Sequence, residues 1–289
     1  MSNPAIWMNG RITALSDAHV SLFDHGLLYG DGVFEGIRFY DKRPFKLAAH
    51  LARLQRSATA IHLAIPYSAD ALSEAMRAVV SASDSPNGYV RLIVTRGEGD
   101  LGLDPRSCAR PNVFLVAAPL RLFKESEQRG IDVIIASTRQ PSPDMLDPRI
   151  KGLNYLNRIL ARLEAIHANA SEALMLNAHG YVAEGTADNV FVAESGILRT
   201  PPATDGALEG ITREVVLEIA SDCGIDSHVE SLAPFDLFTA DEIFLSGTGA
   251  GLVPIRTIQG RATKQCPGPM FQAIEQAFNQ RVRGEDQTT

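Results

Sequence analysis

Apolar and polar residues alternate over Val33–Tyr40, which predicts a strand with Phe34, Gly36, Arg38 and Tyr40 on one face. The period then changes. Leu47, Leu51, Leu54, Ala58 and Ile61 recur at steps of four and three, the spacing of a helix over Lys46–Leu63. His50, Arg53 and Ser57 run beside that stripe, so Arg53 lies at the edge of the buried face. A second helix is expected over Ala69–Ser83. Tyr89–Arg96 reads as a strand with Val90, Leu92 and Val94 on its apolar face. Tyr89 and Arg91 share the other face, where an arginine that is not solvated needs a reason.

Pro111–Leu120 is a further strand, and Arg121–Arg129 is charged and without a period. An interdomain linker is therefore placed at 118–127. It separates a small α+β domain, 1–117, from a larger mixed α/β domain, 128–289, that carries Lys151. In the second part Ile131–Ser137 reads as a strand and the proline-rich Gln140–Pro148 as a loop. Asn154–Ala168 is an amphipathic helix carried by Leu156, Ile159, Leu160, Leu163 and Ile166. Strands follow at Ala173–Leu176, Val190–Ala193 and Glu242–Leu245, with helices from Thr212 and over Pro267–Val282.

Composition narrows the function classes. The 289 residues suit about two domains. A net charge of −7 with no basic block disfavours nucleic acid as a partner. No apolar run approaches a membrane span, and the first residues lack a signal-peptide pattern, so a cytoplasmic location is expected. Cys108, Cys223 and Cys266 are scattered and odd in number, as reduced thiols would be. The 7 histidines show no metal-binding spacing, and no metal is expected.

The chemistry-bearing segments are weak one at a time. Gly97–Gly102 fits GxGxxG after a strand, but Pro105 stands where a dinucleotide-binding turn needs its helix. The loop is either plain surface or a flap over a pocket. Gly247-Thr248-Gly249-Ala250-Gly251 could form a backbone anion nest. Gly210-Ile211-Thr212 opens a helix whose free N–H groups could hold an anion, or is simply a helix start. Lys151 taken alone is a solvated lysine, and Glu184 taken alone is a turn carboxylate.

Together, and in this order, the segments resemble a known family. They are GDGVFEGIR beginning at Gly30 and Asp31, HLARL (50–54), YVRLIVTRGEGDLGLDP (89–105), KGLNYLN (151–157), YVAEGTADNVF (181–191), LEGITRE (208–214) and LSGTGAG (245–251). The chain is similar to the class IV, fold-type IV aminotransferases that use pyridoxal 5'-phosphate, with the D-amino-acid aminotransferase-like α/β fold. FEGIR and the Tyr89/Arg91 pair most resemble the branched-chain-amino-acid aminotransferases.

The resemblance implies roles. Lys151 forms the Schiff base with the cofactor and shuttles the proton. Glu184 holds the ring nitrogen protonated, which makes the ring an electron sink. Tyr155 donates to the ring's phenolic oxygen, although relatives often space lysine and tyrosine one residue further apart. Arg53, the backbone N–H groups of Ile211 and Thr212, and Thr248 hold the phosphate. Tyr29, Phe34, Gly36, Tyr89 and Arg91 line the substrate pocket. Thr248 and Gly249 amides receive the α-carboxylate, and Leu101 and Leu103 reach in from a partner subunit in a homodimer or higher homo-oligomer. Arg91 serves the distal carboxylate of 2-oxoglutarate in a ping-pong transfer from leucine, isoleucine or valine. The chain departs from its relatives at Pro119–Phe123, where they often carry aromatic residues. Leu101-Gly102-Leu103 lacks the Arg-x-His usual in D-amino-acid aminotransferases. Gly36 replaces the hydroxyl residue of aminodeoxychorismate lyases, and Arg91 is usually lost in (R)-amine transaminases. A non-catalytic cofactor-binding protein would not need Lys151, Glu184 and Arg53 together.

Overall fold

The computed structural model describes residues 4–119 and 129–284. These form two compact units. Residues 4–119 with Ile150–Asn154 make the first, and residues 129–149 with 155–284 make the second. Lys151 thus packs with the first unit, whereas the linear reading places it in the second domain. Residues 120–127 of the expected linker, including Leu120, Arg121, Leu122 and Phe123, lie outside the described residues.

The first unit is built on a six-stranded antiparallel sheet. Its strands are β1 (Ala5–Met8), β2 (Arg11–Thr13), β3 (Gly32–Tyr40), β4 (Arg43–Pro44), β5 (Gly88–Thr95) and β6 (Asn112–Ala118), in the order β2-β1-β6-β5-β3-β4. A short helix α1 (His25–Tyr29) precedes β3. Alternation sends Val33, Ile37 and Phe39 of β3, and Val90, Leu92 and Val94 of β5, to one face. There they bury against Leu51, Leu54 and Ala58 of α2 (Leu47–Ala60) and Leu72, Met76 and Val79 of α3 (Ala69–Ala82). Phe34, Gly36 and Arg38 therefore face away from these helices, with Arg91 paired opposite Gly36 and Tyr89 opposite Arg38.

The second unit holds a mixed sheet. In chain order its strands are β7 (Ile131–Ile135), β8 (Glu172–Leu176), β9 (Val182–Gly185), β10 (Asn189–Glu194), β11 (Ile197–Thr200), β12 (Ser227–Val229), β13 (Glu242–Gly247), β14 (Gly251–Ile258) and β15 (Arg261–Ala262). The order is β12-β11-β10-β13-β14-β7-β8-β9, with β15 on β14. The proline-rich stretch expected as loop contains one helical turn, α4 (Pro143–Leu146), started by its proline. Helix α5 (Leu156–His167) follows, then α6 (Ile211–Asp222), α7 (Pro234–Thr239) and α8 (Pro269–Arg283). β13 is buried throughout, its Phe244 stacked 5.1 Å from Phe191 and edge-on to Phe271 of α8 at 5.5 Å. Glu242 closes that layer by accepting the N–H groups of Met270 and Phe271 at 2.9 and 2.8 Å, so it caps α8 from across the strand.

Helix α5 inverts the expected packing. Ala161 and Ala165 are buried against Ala136, Ala173 and Met175. Leu156, Ile159, Leu160, Leu163 and Ile166 remain exposed, Leu156 by 68%. Small alanines allow a close approach to the sheet, so the leucine stripe points outward. Among the described residues, no helix is long and apolar enough to cross a membrane, and no group of acidic, histidine or cysteine side chains is arranged to hold a metal.

Candidate active site

In the first unit the catalytic candidate is positioned by β3. β4 pairs with β3 only at Phe39 and Tyr40, which leaves the outer edge of the strand's first half to another segment. Ile150–Asn154 fills it: Phe34 N–H donates to Lys151 O at 2.9 Å, Leu153 N–H to Gly32 O at 3.0 Å, and Gly152 bridges Val33. The N–H of Lys151 donates to Ser57 Oγ of α2 at 3.1 Å. Lys151 Nζ lies 4.8 Å from the centroid of the Phe34 ring, and the Arg91 guanidinium lies 4.5 Å from the same ring and 5.5 Å from that of Tyr89. Gly36 permits this platform, because a Cβ there would fall 1.8 Å from Tyr89 Oη. Burial pushes the Tyr89 phenol up, so it stays a neutral hydrogen-bonding group.

Beneath β3 lies a charge cluster that the linear pattern hides. Glu35 is in the inward set with Val33 and Ile37 and is fully buried. Arg53 Nε and Nη2 donate to its two oxygens at 2.8 Å each, a bidentate pair. His50 Nδ1 adds a third donor at 2.8 Å, which assigns its proton to Nδ1 because a carboxylate only accepts. Burial raises the Glu35 carboxyl, yet the hydrogen bonds and charge of its partners overcome this and hold it at about 2. Burial also drives His50 toward neutrality, so Arg53 supplies the compensating charge. Arg53, 3% exposed, is thus fixed in plane rather than poised at an edge.

The glycine loop after β5 is tied down. His25 N–H donates to Gly97 O at 2.9 Å, His25 Nε2 meets Asp100 O at 2.8 Å, and Tyr29 Oη donates to Leu101 O. A 3₁₀ turn at Pro105–Ser107, not an α-helix, follows. Leu101 and Leu103 stand 69% and 79% exposed at its tip.

The second unit gathers the other candidates. Glu184 lies near the end of β9 with its side chain 2% exposed, and four N–H donors converge on it. Oε1 accepts from Gln140 Nε2 at 3.1 Å and Arg158 Nη2 at 2.5 Å. Oε2 accepts from Asn189 Nδ2 at 3.2 Å and Leu208 N at 3.0 Å. Tyr155 begins α5, its ring centroid 5.1 Å from the Arg158 guanidinium. Ile211 and Thr212 open α6 behind Gly210, where no side chain caps the helix. Gly210 has to be glycine: a Cβ would fall 2.0 Å from Asn189 Oδ1. Asn189 thereby links Glu184 to the start of α6. Thr248, Gly249 and Ala250 form the turn of the β13–β14 hairpin, closed by the pair Gly247–Gly251 with Gly251 at φ +73°. The glycines suggested as an anion nest lie at this hairpin tip. Near its base the Ser246 hydroxyl is buried without a hydrogen-bond partner, opposite Asn189.

Glu35, Gln140, Arg158 and Asn189 were not among the sequence candidates. The available signals were a carboxylate at an inward strand position, Val33-Glu35-Ile37, and an arginine in line with Ala161 and Ala165.

The chain belongs to the class IV aminotransferases, whose family model matches residues 32–258. A relative from Methanocaldococcus jannaschii, a putative branched-chain-amino-acid aminotransferase, is 45% identical over 89% of this chain and 88% of its own. The structure of a branched-chain aminotransferase from Thermoproteus uzoniensis with norvaline superimposes with a TM-score of 0.93 at 37% identity, covering 98% of this chain and 96% of that one. The branched-chain amino acid aminotransferase from Thermobaculum terrenum in its PLP-form, the holo-form, gives 0.90 at 30% identity, over 99% and 96%.

Proposed function

We propose that this chain is a pyridoxal 5'-phosphate-dependent transaminase that moves the amino group of leucine, isoleucine or valine to 2-oxoglutarate by a ping-pong mechanism. The relatives' norvaline complex and cofactor-bound form support this reading. The observation that carries it is the Phe34 platform, where the Lys151 amine and the Arg91 guanidinium meet one aromatic ring.

The donor set suits the cofactor. Such a group needs an amine, an acceptor for its ring nitrogen and an anion site. Lys151 is the amine, Glu184 the acceptor, and the uncapped start of α6 an anion site with a positive dipole end. The orphaned Ser246 hydroxyl adds a polar partner opposite Asn189. When bound, the cofactor supplies an electron sink for the charge left when the substrate Cα loses its proton. Lys151 Nζ takes that proton and returns it. Glu184 keeps a proton on the ring nitrogen. Tyr155 donates to the phenolic oxygen. Arg53, Ile211, Thr212 and Thr248 hold the phosphate, with Glu35 fixing the plane of Arg53.

Tyr29, Phe34, Gly36 and Tyr89 shape the substrate side, and the amides of Thr248 and Gly249 receive the α-carboxylate. Arg91 receives a distal carboxylate when the substrate has one, and its aromatic neighbours receive an apolar chain when it does not. The reading includes a cytoplasmic setting, which suits the free Cys108, Cys223 and Cys266. It also includes a homo-oligomer in which a second copy covers the outward stripe of α5 and receives Leu101 and Leu103. The test is a panel of L- and D-amino donors against 2-oxoglutarate and pyruvate, with chiral analysis of the product. Turnover of L-leucine with 2-oxoglutarate to L-glutamate is expected. Preferred turnover of D-alanine or of (R)-amines would replace the proposal with those activities.

A further inference from the structure

Arg158 occupies a position that packing alone would give to a small side chain. Arg158 lies in line with Ala161 and Ala165 on α5, and those two alanines are wholly buried. The Arg158 side chain is only 12% exposed. A guanidinium so enclosed is costly unless it is paired, and its partners are specific. Nη2 donates to Glu184 Oε1 at 2.5 Å, Nη1 to Thr186 O at 3.2 Å and Gly185 O at 3.5 Å, and the guanidinium carbon lies 5.1 Å from the Tyr155 ring centroid. One cation therefore meets both the carboxylate assigned to the cofactor's ring nitrogen and the aromatic ring of the tyrosine assigned to its phenolic oxygen.

Glu184 does not need Arg158 to be held in place. Gln140, Asn189 and the Leu208 N–H already fix it, and both amide side chains are themselves anchored, Gln140 to Gly206 O at 2.7 Å and Asn189 to Leu208 O at 2.9 Å. Of the four donors, Arg158 is the one that brings a positive charge. Four donors use the in-plane capacity of the two oxygens, so a bound cofactor's ring N–H would share one of them. The adjacent guanidinium then decides how much negative charge that N–H meets. We propose that Arg158 is a positioning residue that sets the proton affinity of the cofactor site, acting through Glu184 and Tyr155. The inference rests on the roles proposed above for those two residues.

The sign follows from the charges around it. Arg158 faces Glu184 from β9, Tyr155 from its own helix start and Asp188 from the turn before β10. Arg213 of α6 also interacts electrostatically with Glu184, as well as with Glu209 and Glu214. Removing Arg158 deletes one positive charge beside the Glu184 carboxylate and the Tyr155 ring, and the loss of a cation favours a bound proton.

The holoenzyme is therefore titrated by the pH dependence of its visible absorption. Arg158→Gln keeps length and a donor without the charge, and its midpoint should move upward by on the order of one pH unit. Arg158→Met carries the same expectation should the glutamine variant fail to accumulate. Arg158→Lys keeps the charge and should stay within about 0.3 of the parent midpoint. Thermal melting of the cofactor-free proteins runs in parallel and reports any purely structural role. A charge-deleted variant that melts lower with an unmoved midpoint overturns the proposal, as does a lysine variant that shifts as far as the glutamine one. Glu184→Gln separates the two levels. If it alters the spectrum while Arg158→Gln does not, the role of Glu184 stands and that of Arg158 falls. If Glu184→Gln leaves spectrum and cofactor affinity untouched, both fall.

Discussion

Replacing Glu35 by glutamine removes the buried carboxylate under β3 while keeping its volume. The carboxyl is held at about 2 against an ordinary value of 4.5. At about 1.4 kcal/mol per tenfold change in proton affinity, the ionised form contributes roughly 3 kcal/mol to folding at neutral pH. The side chain is fully buried, so solvent screening takes little away. The variant also leaves the Arg53 charge with a weaker partner, an effect of the same sign. The folded value lies below the unfolded one, so the contribution is complete above pH 4.5 and is lost as pH falls toward 2. Trp7, the single tryptophan of the chain, is 7% exposed in the same core as Val33, Ile37, Leu51 and Leu54, so its fluorescence reports this unit alone. Thermal melts read at Trp7 should place Glu35→Gln about 10 °C below the parent at pH 7. The gap should narrow below pH 4.5. A variant melting within about 2 °C of the parent at pH 7, or a gap that widens on acidification, refutes the assignment of charge within the Glu35–Arg53–His50 cluster.

Arg91→Ala should raise KM for 2-oxoglutarate by about 10- to 100-fold, the worth of a lost charge-assisted contact. It should change KM for 4-methyl-2-oxopentanoate far less, and equal losses in steady-state kinetics would make Arg91 structural. Glu242→Ala exposes two first-turn N–H groups of α8 and should lower stability by about 1–2 kcal/mol in urea unfolding; an unchanged midpoint would remove Glu242 as the cap. Leu160→Glu, in the middle of the outward stripe of α5, should shift the protein toward monomer in light scattering, and an unchanged mass would place the contact between copies elsewhere.

The first unit was largely legible from pattern because its sheet is antiparallel with one face under helices. Val33–Tyr40 alternates as such a strand must, and the four-and-three spacing of Leu47 to Ile61 marks α2. Periodicity failed at α5 for a physical reason. It reports which residues are apolar, not what they face, and alanines at 161 and 165 pack closer to a sheet than leucines do. Nor can the order of residues along the chain disclose that Ile150–Asn154 completes the edge of β3, a contact fixed by how far β4 extends. Family motifs pointed to Lys151, Glu184 and Arg53 as separate groups. The side chains that pair with two of them, Glu35 with Arg53 and Arg158 with Glu184, emerged in three dimensions because each is adjacent in space and distant in sequence.

The central claim is that Lys151 is the amine bonded to the cofactor. It is tested by loading the protein with pyridoxal 5'-phosphate, reducing with borohydride and mapping the labelled peptide. The label should fall on Lys151. Label on Lys42, Lys46, Lys124 or Lys264 instead, or on no lysine at all, would contradict the account.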